Sequence, residues 1–277
     1  MPGCLYVVAT PLGNLEDFTL RAQRTLKEVD LIACEDTRRT KKLLSHFSIQ
    51  TRCTSYHEHN EETKTPHLLR LLEKGNHLAL VSDAGTPLLS DPGYRLVLGC
   101  RDRGISVYPV PGPAAVTAAL SVSGLPTDRF FFVGFLPRRA AQRRSRLQEI
   151  SQFDATLLFY LSPHRLTVTL QQILKVLGNR RAFLIREMTK IHESHHFGTL
   201  REILETIQGS PSRGEYTLVV EGQPTKGAST IPLDILAYVT GLIQLHGITQ
   251  KEAIRRAAHE LGIPKRQVYR LFVEKKI

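Results

Sequence analysis

The loop from Ser82 to Gly93, "SDAGTPLLSDPG", carries the residue types of a ligand-binding turn. It directly follows the apolar run "HLALV", so Asp83 stands at the carboxyl end of a predicted strand, where open parallel sheets bind their ligands. Asp83 and Asp91 can accept hydrogen bonds from hydroxyl or amino groups, and Gly85 allows close backbone approach. The loop has neither phosphate-binding glycine pattern. A purely structural turn is the alternative interpretation.

A second loop of this kind covers residues 110–120, "VPGPAAVTAAL". Gly112 precedes a predicted helix that begins with the small residues Ala114 and Ala115. Small side chains at a helix start let a ligand reach backbone N–H groups. Tight packing of the helix on a sheet explains these alanines equally well. Two such loops at strand ends together favour a cofactor pocket.

Charged side chains follow two more strands. The segment "CEDTRRT" places Glu35, Asp36 and Arg38 where the strand "DLIAC" ends, and "YHEHNE" places His57 in a loop after a strand. We expect them at the same sheet edge as Asp83. Asp36 could instead be only a helix N-cap with the arginine on a solvated face, and the spacing leaves His57 open as a metal ligand, an RNA contact or a surface residue.

The segment "HESHH" at 192–196 satisfies the H-E-x-x-H pattern of zinc proteases. That chemistry needs a helix, so that two imidazoles lie one turn apart, and a third ligand. Here the motif follows the strand-like "AFLIREMTK" and precedes "FGT", which favours an extended segment with both histidines on one face. We therefore expect no metal site.

Basic segments predict a polyanionic partner. The formal net charge is +11. The segment 136–146, "LPRRAAQRRSR", has five arginines and no acidic residue, and 251–276 has eight Lys or Arg against three Glu. Unneutralised arginine pairs are typical of contacts with a nucleic-acid backbone, although a solvated helix face is the alternative. The predicted RNA contacts are Arg138, Arg139, Arg143, Arg144, Lys265 and Arg266.

Alternating strand and helix patterns position these residues. Strands are predicted at 4–9, 30–34, 77–82 and 105–110, with helices near 19–28, 37–46, 61–74 and 92–103. The alternation resumes with strands "RFFFVGF", "TLLFYL", "AFLIRE" and "YTLVVEG" and helices near 139–151, 164–177 and 199–208. We predict two tandem three-layer α/β/α domains, 1–112 and 113–230, and a helical basic tail, 231–277. In the tail Thr249 is the expected N-cap, and 262–264 interrupts two helices like a helix-turn-helix unit.

Composition narrows the class of protein. The apolar runs are too short to cross a bilayer and the N-terminus lacks the features of a signal peptide, so a cytoplasmic protein without membrane contact is expected. The four cysteines are widely spaced, which favours buried free thiols over a zinc ribbon or a disulfide scaffold.

Taken together, the motifs resemble the tetrapyrrole methylase superfamily and, within it, the ribosomal small subunit methyltransferase I family. The resemblance extends over essentially the whole chain. It rests on these strings in this order: "ATPLGNLED", "CEDTRRT", "HEHNE", "VSDAGTPLLSDPGY", "PGPAAVTAALSVSGLPTDRF", "FVGFLPR", "SPHR", "REMTK" and "GEYTLVVEG". One departure is Leu161, where many members have a glutamate before "SPHR".

The resemblance implies transfer of a methyl group from S-adenosylmethionine to the ribose 2'-oxygen of a cytidine in the decoding region of small-subunit rRNA. It also implies a homodimer with the cofactor between two α/β domains and no metal. The implied cofactor-binding residues are Thr10, Pro11, Asp83, Ala84, Gly85, Thr86, Pro87, Gly112, Ala114, Ala115, Leu161, Ser162 and Glu187.

For such a reaction, positioning supplies most of the acceleration, and a base takes the hydroxyl proton. Glu35, Asp36 and His57 are candidates for the base, and Arg38 or Arg186 for the phosphate contact. Free rRNA and the assembled 30S subunit are both possible substrates. Two rival hypotheses are methylation of a small tetrapyrrole-like substrate, which the broad basic segments disfavour, and a non-catalytic nucleic-acid-binding protein, which the two crevice loops disfavour.

Overall fold

A computed structural model describes residues 1–207, 213–223, 235–261 and 263–274. The chain forms two compact units, one of residues 1–151 with 155–221 and one of 152–154 with 222–277. The predicted α/β segment 1–112 and most of the segment 113–230 lie in the first unit. The predicted domain boundary at residue 112 stays a prediction, and the one at 230 lies outside the described residues.

The first sheet is fully parallel, with strand order β3-β2-β4-β1-β5. Its strands are β1 (Cys4–Val8), β2 (Leu31–Cys34), β3 (Cys53–Ser55), β4 (Leu78–Val81) and β5 (Ser106–Val110). The helices between them are α1 (Leu20–Glu28), α2 (Thr37–His46), α3 (Glu61–Glu73) and α4 (Tyr94–Asp102). The strand expected before "YHEHNE" is β3, whose bounds the sequence does not give because three residues are too few to show a period.

Helices cover both faces of this sheet, as the three-layer prediction requires. On one face Val8 and Val81 pack with Leu26 of α1 and Leu44 of α2. On the other face, residues of β1 and β4 pack with α3 and α4; the buried set includes Leu5, Leu80, Leu68 and Leu96. Strands buried on both faces explain the continuous apolar runs.

The second sheet is mixed, with strand order β6-β7-β10-β8-β9. Its strands are β6 (Phe130–Phe135), β7 (Thr156–Leu161), β8 (Arg181–Arg186), β9 (Ser194–Thr199) and β10 (Tyr216–Val220). Its helices are α5 (Ala115–Val122), α6 (Ala140–Ile150), α7 (Leu166–Leu177) and α8 (Leu200–Ile207). Helices α6 to α8 pack on one face of this sheet and α5 packs on the other, so the second sheet is also the middle of three layers.

The second compact unit contains α9 (Ile235–His246), α10 (Gln250–Leu261) and α11 (Lys265–Glu274) around its own apolar core. Thr249 caps α10 as predicted, because its Oγ1 atom accepts the N–H of Glu252 at 3.3 Å. Gly262 of the predicted break lies outside the described residues. Lys265 and Arg266 are exposed on α11.

The described part of the chain holds no helix with the length and apolar character of a membrane span. All four cysteines are free thiols; Cys4, Cys34 and Cys100 are buried, and Cys53 is half-buried.

Candidate active site

A cavity of about 390 Å³ in the first unit lies where strand ends of both sheets meet. From the first sheet, Glu35 follows β2 and Asp83 follows β4, each at the carboxyl end. From the second, Leu161 ends β7 and Tyr216 begins β10. The last two belong to one edge because β10 runs antiparallel to β7, with Tyr216 paired to Leu161.

Hydrogen bonds between backbones hold the loops of the first sheet together. Thr10 and Gly85 exchange two N–H to carbonyl bonds, at 2.9 and 3.0 Å. The hydroxyl of Thr86 donates to the carbonyl of Pro113 at 3.0 Å, which joins the loop after β4 to the loop after β5. These bonds give the cavity a wall that is set before any ligand enters.

Four carboxyl groups line the cavity, and three of them, Glu35, Asp83 and Asp91, interact with one another. Burial raises the pKa of Glu35, and the charge of Asp83 raises it further. Burial also raises the pKa of Asp83, although the N–H of Asp36 and the charge of Arg39, 3.3 Å from Oδ2, oppose the effect. The cluster is short of positive charge, so a cationic ligand would be stabilised there.

Asp91 has the most perturbed carboxyl group of the three. Burial first, and then the charge of Glu35, raise its pKa to about 7, while the hydroxyl of Ser82 opposes the shift. Its loop contains two non-glycine residues with left-handed backbone, Leu88 at φ 74° and Ser90 at φ 69°. Such strain persists only where surrounding structure imposes it and is frequent at functional sites.

A second cluster of charged residues holds the part of the cavity wall that contains Glu215. Oε1 of Glu187 accepts the N–H of Glu215 at 2.8 Å and the ammonium of Lys190 at 3.0 Å. Lys190 also binds Oε2 of Glu215 at 3.0 Å. Burial alone would raise the pKa of Glu187, but these two donors lower it overall. Glu187 therefore positions Glu215, which lines the cavity.

Comparisons with known proteins identify the family. The family model described as Tetrapyrrole (Corrin/Porphyrin) Methylases matches residues 4–204. The chain belongs to the tetrapyrrole methylase family.

Relatives place this tetrapyrrole methylase more narrowly. It is 49% identical to the ribosomal RNA small subunit methyltransferase I of Halalkalibacterium halodurans, over 98% of this chain and 94% of the relative. Relatives with the same name are 44% identical in Synechocystis, over 98% of each chain, and 46% identical in Escherichia coli O157:H7, over 98% and 95%. The predicted family and the expectation of a methyltransferase are confirmed.

Solved structures confirm the predicted fold. A uroporphyrin-III C-methyltransferase from Thermus thermophilus matches with a TM-score of 0.54 at 23% identity, over 79% of this chain and 94% of that one. The methyltransferase CobJ matches with a TM-score of 0.59 at 19% identity, over 80% and 95%. At these identities the likeness shows the fold alone.

Eight of the predicted cofactor-binding residues line the cavity of this methylase. Five do not: Thr10 and Glu187 hold neighbouring loops by hydrogen bonds, and Gly112 packs against the side chain of Ala9. Pro11 and Pro87 are buried outside the lining. The lining residues are Asp83, Ala84, Gly85, Thr86, Ala114, Ala115, Leu161 and Ser162.

Of the predicted catalytic residues, only Glu35 lines the cavity. Asp36 is the N-cap of α2 and pairs with Arg38 at 2.8 Å, and the hydrogen bonds from Arg38 lower its pKa to about 2. His57 lies outside the lining, and its backbone N–H donates to Asn60 at 2.9 Å. Asp36 thus has the structural role that the sequence left open.

The predicted RNA contacts fall into two groups. Arg138, Arg139 and Arg144 are exposed, whereas Arg143 is 4% exposed. One guanidinium nitrogen of Arg143 donates to the carbonyls of Pro137 and Arg138 at 3.2 and 3.1 Å, and Nε donates to Gln172. Arg143 therefore holds the turn between β6 and α6.

The "HESHH" segment does not form a helix. Residues 191–192 form a turn and His195 and His196 lie in β9, so the segment is extended as expected from Ser194 onward. His192 precedes the strand. Among the described residues no cluster of three or more His, Cys, Asp or Glu side chains is arranged to hold a metal ion.

The sequence does not identify several of the side chains that line the cavity. Asp91 is predicted as a hydrogen-bond acceptor but not as a site residue, because it is distant in the chain from the end of β4. The others gave no local signal, because their side-chain direction depends on the sheet. They include Leu12, Arg39, Phe135, Tyr160 and Glu215.

Proposed function

We propose that this protein transfers the methyl group of S-adenosylmethionine to the 2'-oxygen of a cytidine ribose in the decoding region of small-subunit rRNA. Relatives that carry the name ribosomal RNA small subunit methyltransferase I support the RNA substrate. The carboxylate-lined cavity is the observation that carries the cofactor part of the proposal.

The cavity fits a sulfonium donor. Its volume of about 390 Å³ lies within the range of small-molecule sites, and Glu35, Asp83 and Asp91 offer negative charge to a cationic ligand. Ala114 and Ala115 at the start of α5 leave room near backbone N–H groups. A related fold, a uroporphyrin-III C-methyltransferase, was solved with S-adenosyl homocysteine, which adds support. When bound, the donor supplies an electrophilic methyl group.

Asp91 is the proposed base for the ribose hydroxyl. It lines the cavity, and its pKa of about 7 lies near the working pH, where a general base is most effective. Glu35, the neighbouring carboxylate, raises that pKa and is the second candidate. Asp36 is too acidic and too far from the lining to be a good base, and His57 also lies outside the lining.

The proposed RNA contacts of the first unit are the exposed Arg138, Arg139 and Arg144, together with Arg186. Those proposed for the second unit are Lys265 and Arg266. Arg186 donates from Nε to the carbonyl of Arg213 at 3.0 Å and stacks over Tyr216, a cavity residue. We leave Arg143 out because its guanidinium is enclosed. We further propose a homodimer that acts in the cytoplasm on rRNA or the assembled 30S subunit.

Methylation of a small tetrapyrrole is the alternative hypothesis. It rests on the description of the family model and on solved structures below 25% identity, which share the fold. The relatives at 44–49% identity carry the rRNA name over nearly the full chain, which favours the RNA substrate.

The test is methyl transfer from labelled S-adenosylmethionine to 30S subunits and to naked 16S rRNA, followed by mapping of the modified nucleotide. We expect the label on a single cytidine 2'-oxygen. Label on a base atom, or on neither RNA, would overturn the proposal.

The role of Asp91 has its own test. Because kcat/KM reports the free enzyme, wild-type kcat/KM for the donor should rise with pH and level off above about 7. Asp91→Asn should abolish this rise and lower kcat/KM about 100-fold or more. Asp83→Asn, the matched carboxylate change, should keep the pH dependence; a pH dependence that survives Asp91→Asn would assign the base elsewhere.

A further inference from the structure

Phe135 is a large aromatic residue whose side chain is exposed at the cavity. It is the last residue of β6, lines the cavity, and is 57% exposed. An exposed phenylalanine ring beside the cavity lacks the free energy of burial, so a ligand with a flat apolar face would gain free energy by covering it.

An irregularity in β6 decides which way the ring points. The pairing of β6 with β7 shifts between Phe132 and Gly134. Before the shift, Phe131 packs with the core beneath α6 and α7, while Phe132 packs with the core beneath α5. In a regular strand, positions 133 and 135 would share the face of Phe131.

The shift inserts one residue, so Phe135 changes faces. It pairs with Tyr160, whose ring belongs to the α5 side of the sheet. Leu136 then returns to the core beneath α6 and α7. Bulges of this kind re-aim side chains next to active sites. Here the bulge moves an aromatic ring out of a core face and to the cavity.

Gly134 makes the bulge possible. Its φ of 71° is in the left-handed region, and a Cβ atom there would lie 2.8 Å from Oγ of Ser90. Ser90 immediately precedes Asp91, so the bulge and the loop that carries Asp91 are packed together. The neighbours of Phe135 and Asp91 in the chain, Gly134 and Ser90, are thus close together.

The ring of Phe135 is supported by neighbouring aromatic rings. The centroid of Tyr160 lies 5.4 Å from that of Phe135 at an interplanar angle of 58°. Phe132 lies 5.1 Å behind Tyr160 in an edge-to-face arrangement. The stack of rings fixes the orientation of Phe135 and leaves its outer face free for a ligand.

Two arginines proposed above as RNA contacts follow Phe135 closely in the chain. Arg138 and Arg139 are exposed in the turn that Arg143 holds by its bonds to the carbonyls of Pro137 and Arg138. A flat ring, a carboxylate and exposed guanidinium groups are contacts that suit the base, the ribose hydroxyl and the phosphate of a nucleotide.

On the basis of the proposed function, we infer that Phe135 is the platform on which the base of the target nucleotide stacks while its ribose faces Asp91. Single-stranded RNA is commonly recognised by bases that stack on aromatic side chains. The cavity would thus receive the target nucleotide unstacked from its RNA neighbours. The adenine ring of the methyl donor is the competing occupant, and the experiment separates the two.

The experiment measures methyl transfer to 30S subunits isolated from cells that lack this enzyme, together with calorimetric binding of S-adenosylmethionine. Phe135→Ala and Phe135→Leu should lower kcat/KM for 30S subunits by about 5-fold to 150-fold, the range for loss of one stacked base. Phe135→Tyr and Phe135→Trp should restore most of the activity, since any ring can stack. Donor affinity should be unchanged in all four variants.

Phe130→Ala is the matched control, because Phe130 is 47% exposed at the other end of the same strand and outside the cavity lining. It should keep wild-type activity. A Phe135→Leu variant as active as wild type would overturn the inference, and so would a loss of donor affinity as large as the loss in kcat/KM. Absence of transfer by the wild type to any RNA would instead overturn the proposed function, and the inference with it.

Discussion

The Oδ1 atom of Asp83 accepts a hydrogen bond from the backbone N–H of Asp36 at 3.0 Å. This bond joins the loop after β4 to the start of α2, where the side chain of Asp36 is the N-cap. Asp83 therefore has two roles: it lines the cavity and it fixes the neighbouring strand end.

Replacement of Asp83 should separate these roles. Asp83→Ala leaves the Asp36 N–H without an acceptor, so we expect a loss of about 1–3 kcal/mol in the free energy of unfolding. Asp83→Asn keeps the acceptor and should be nearly as stable as wild type, because its ion pair with the exposed Arg39 contributes little. Urea denaturation checks both, and equal stability of the two variants would contradict the role of this bond.

Asp91→Asn should stabilise the protein at alkaline pH. The folded-state pKa of about 7 exceeds the ordinary aspartate pKa of 3.8, so the folded state binds more protons than the unfolded state between these values. Stability of the wild type therefore falls as pH rises through this range. After allowance for partial exposure, we expect the variant to be about 1–3 kcal/mol more stable at pH 8 and equal to wild type near pH 4. Thermal melts across this pH range test it; a constant difference would contradict the shift.

Gly134→Ala should damage activity more than its cost in stability suggests. Both Gly134 and Gly104 have left-handed backbone, at φ 71° and 66°, but a Cβ at Gly104 meets nothing within 4 Å. Gly104→Ala is therefore the matched control for backbone strain, and each change should cost about 1 kcal/mol of stability. Only Gly134→Ala should also lower kcat/KM for RNA, because it disturbs the bulge and Ser90. Equal activity of the two variants would show that the bulge is not needed.

Replacement of Arg143 should affect stability, whereas replacement of the adjacent Arg144 should affect RNA binding. Arg143→Ala removes donors from the carbonyls of Pro137 and Arg138 and should lower the free energy of unfolding by about 2–3 kcal/mol. Arg144→Ala should leave stability unchanged and weaken RNA binding, with a salt dependence reduced by about one phosphate contact. Denaturation and filter binding at several salt concentrations measure both. A destabilised Arg144→Ala variant would contradict the assignment.

Much of the fold followed from local patterns in the sequence. The apolar runs around Leu80 and Phe159 and the helical periods between strands predicted the elements to within a few residues. The bounds of β3 and of β9 were not predicted, because a strand of three residues or one rich in polar side chains has no clear period. The mixed character of the second sheet was also hidden, since strand direction depends on pairing between residues far apart in the chain.

The candidate site followed from sequence only in part. Asp83, Ala114 and Glu35 were found because residues directly after parallel strands meet at one edge. Phe135 and Asp91 were not assigned to it: a bulge of one residue reverses the direction of Phe135, and the strained turn brings Asp91 back to the cavity. Arg143 looked like its neighbour Arg144 in sequence, and burial alone distinguishes the two.

By itself, the sequence determined which segments are strands and helices, which loops follow strand ends, and the family to which the chain belongs. Those properties depend on local periodicity and on strings of adjacent residues. Only the tertiary structure decided which carboxylates share one cavity, which aromatic ring faces it and which arginine is enclosed. These depend on strand order, strand direction and the bulge at Gly134, all of which arise from contacts between residues distant in the chain.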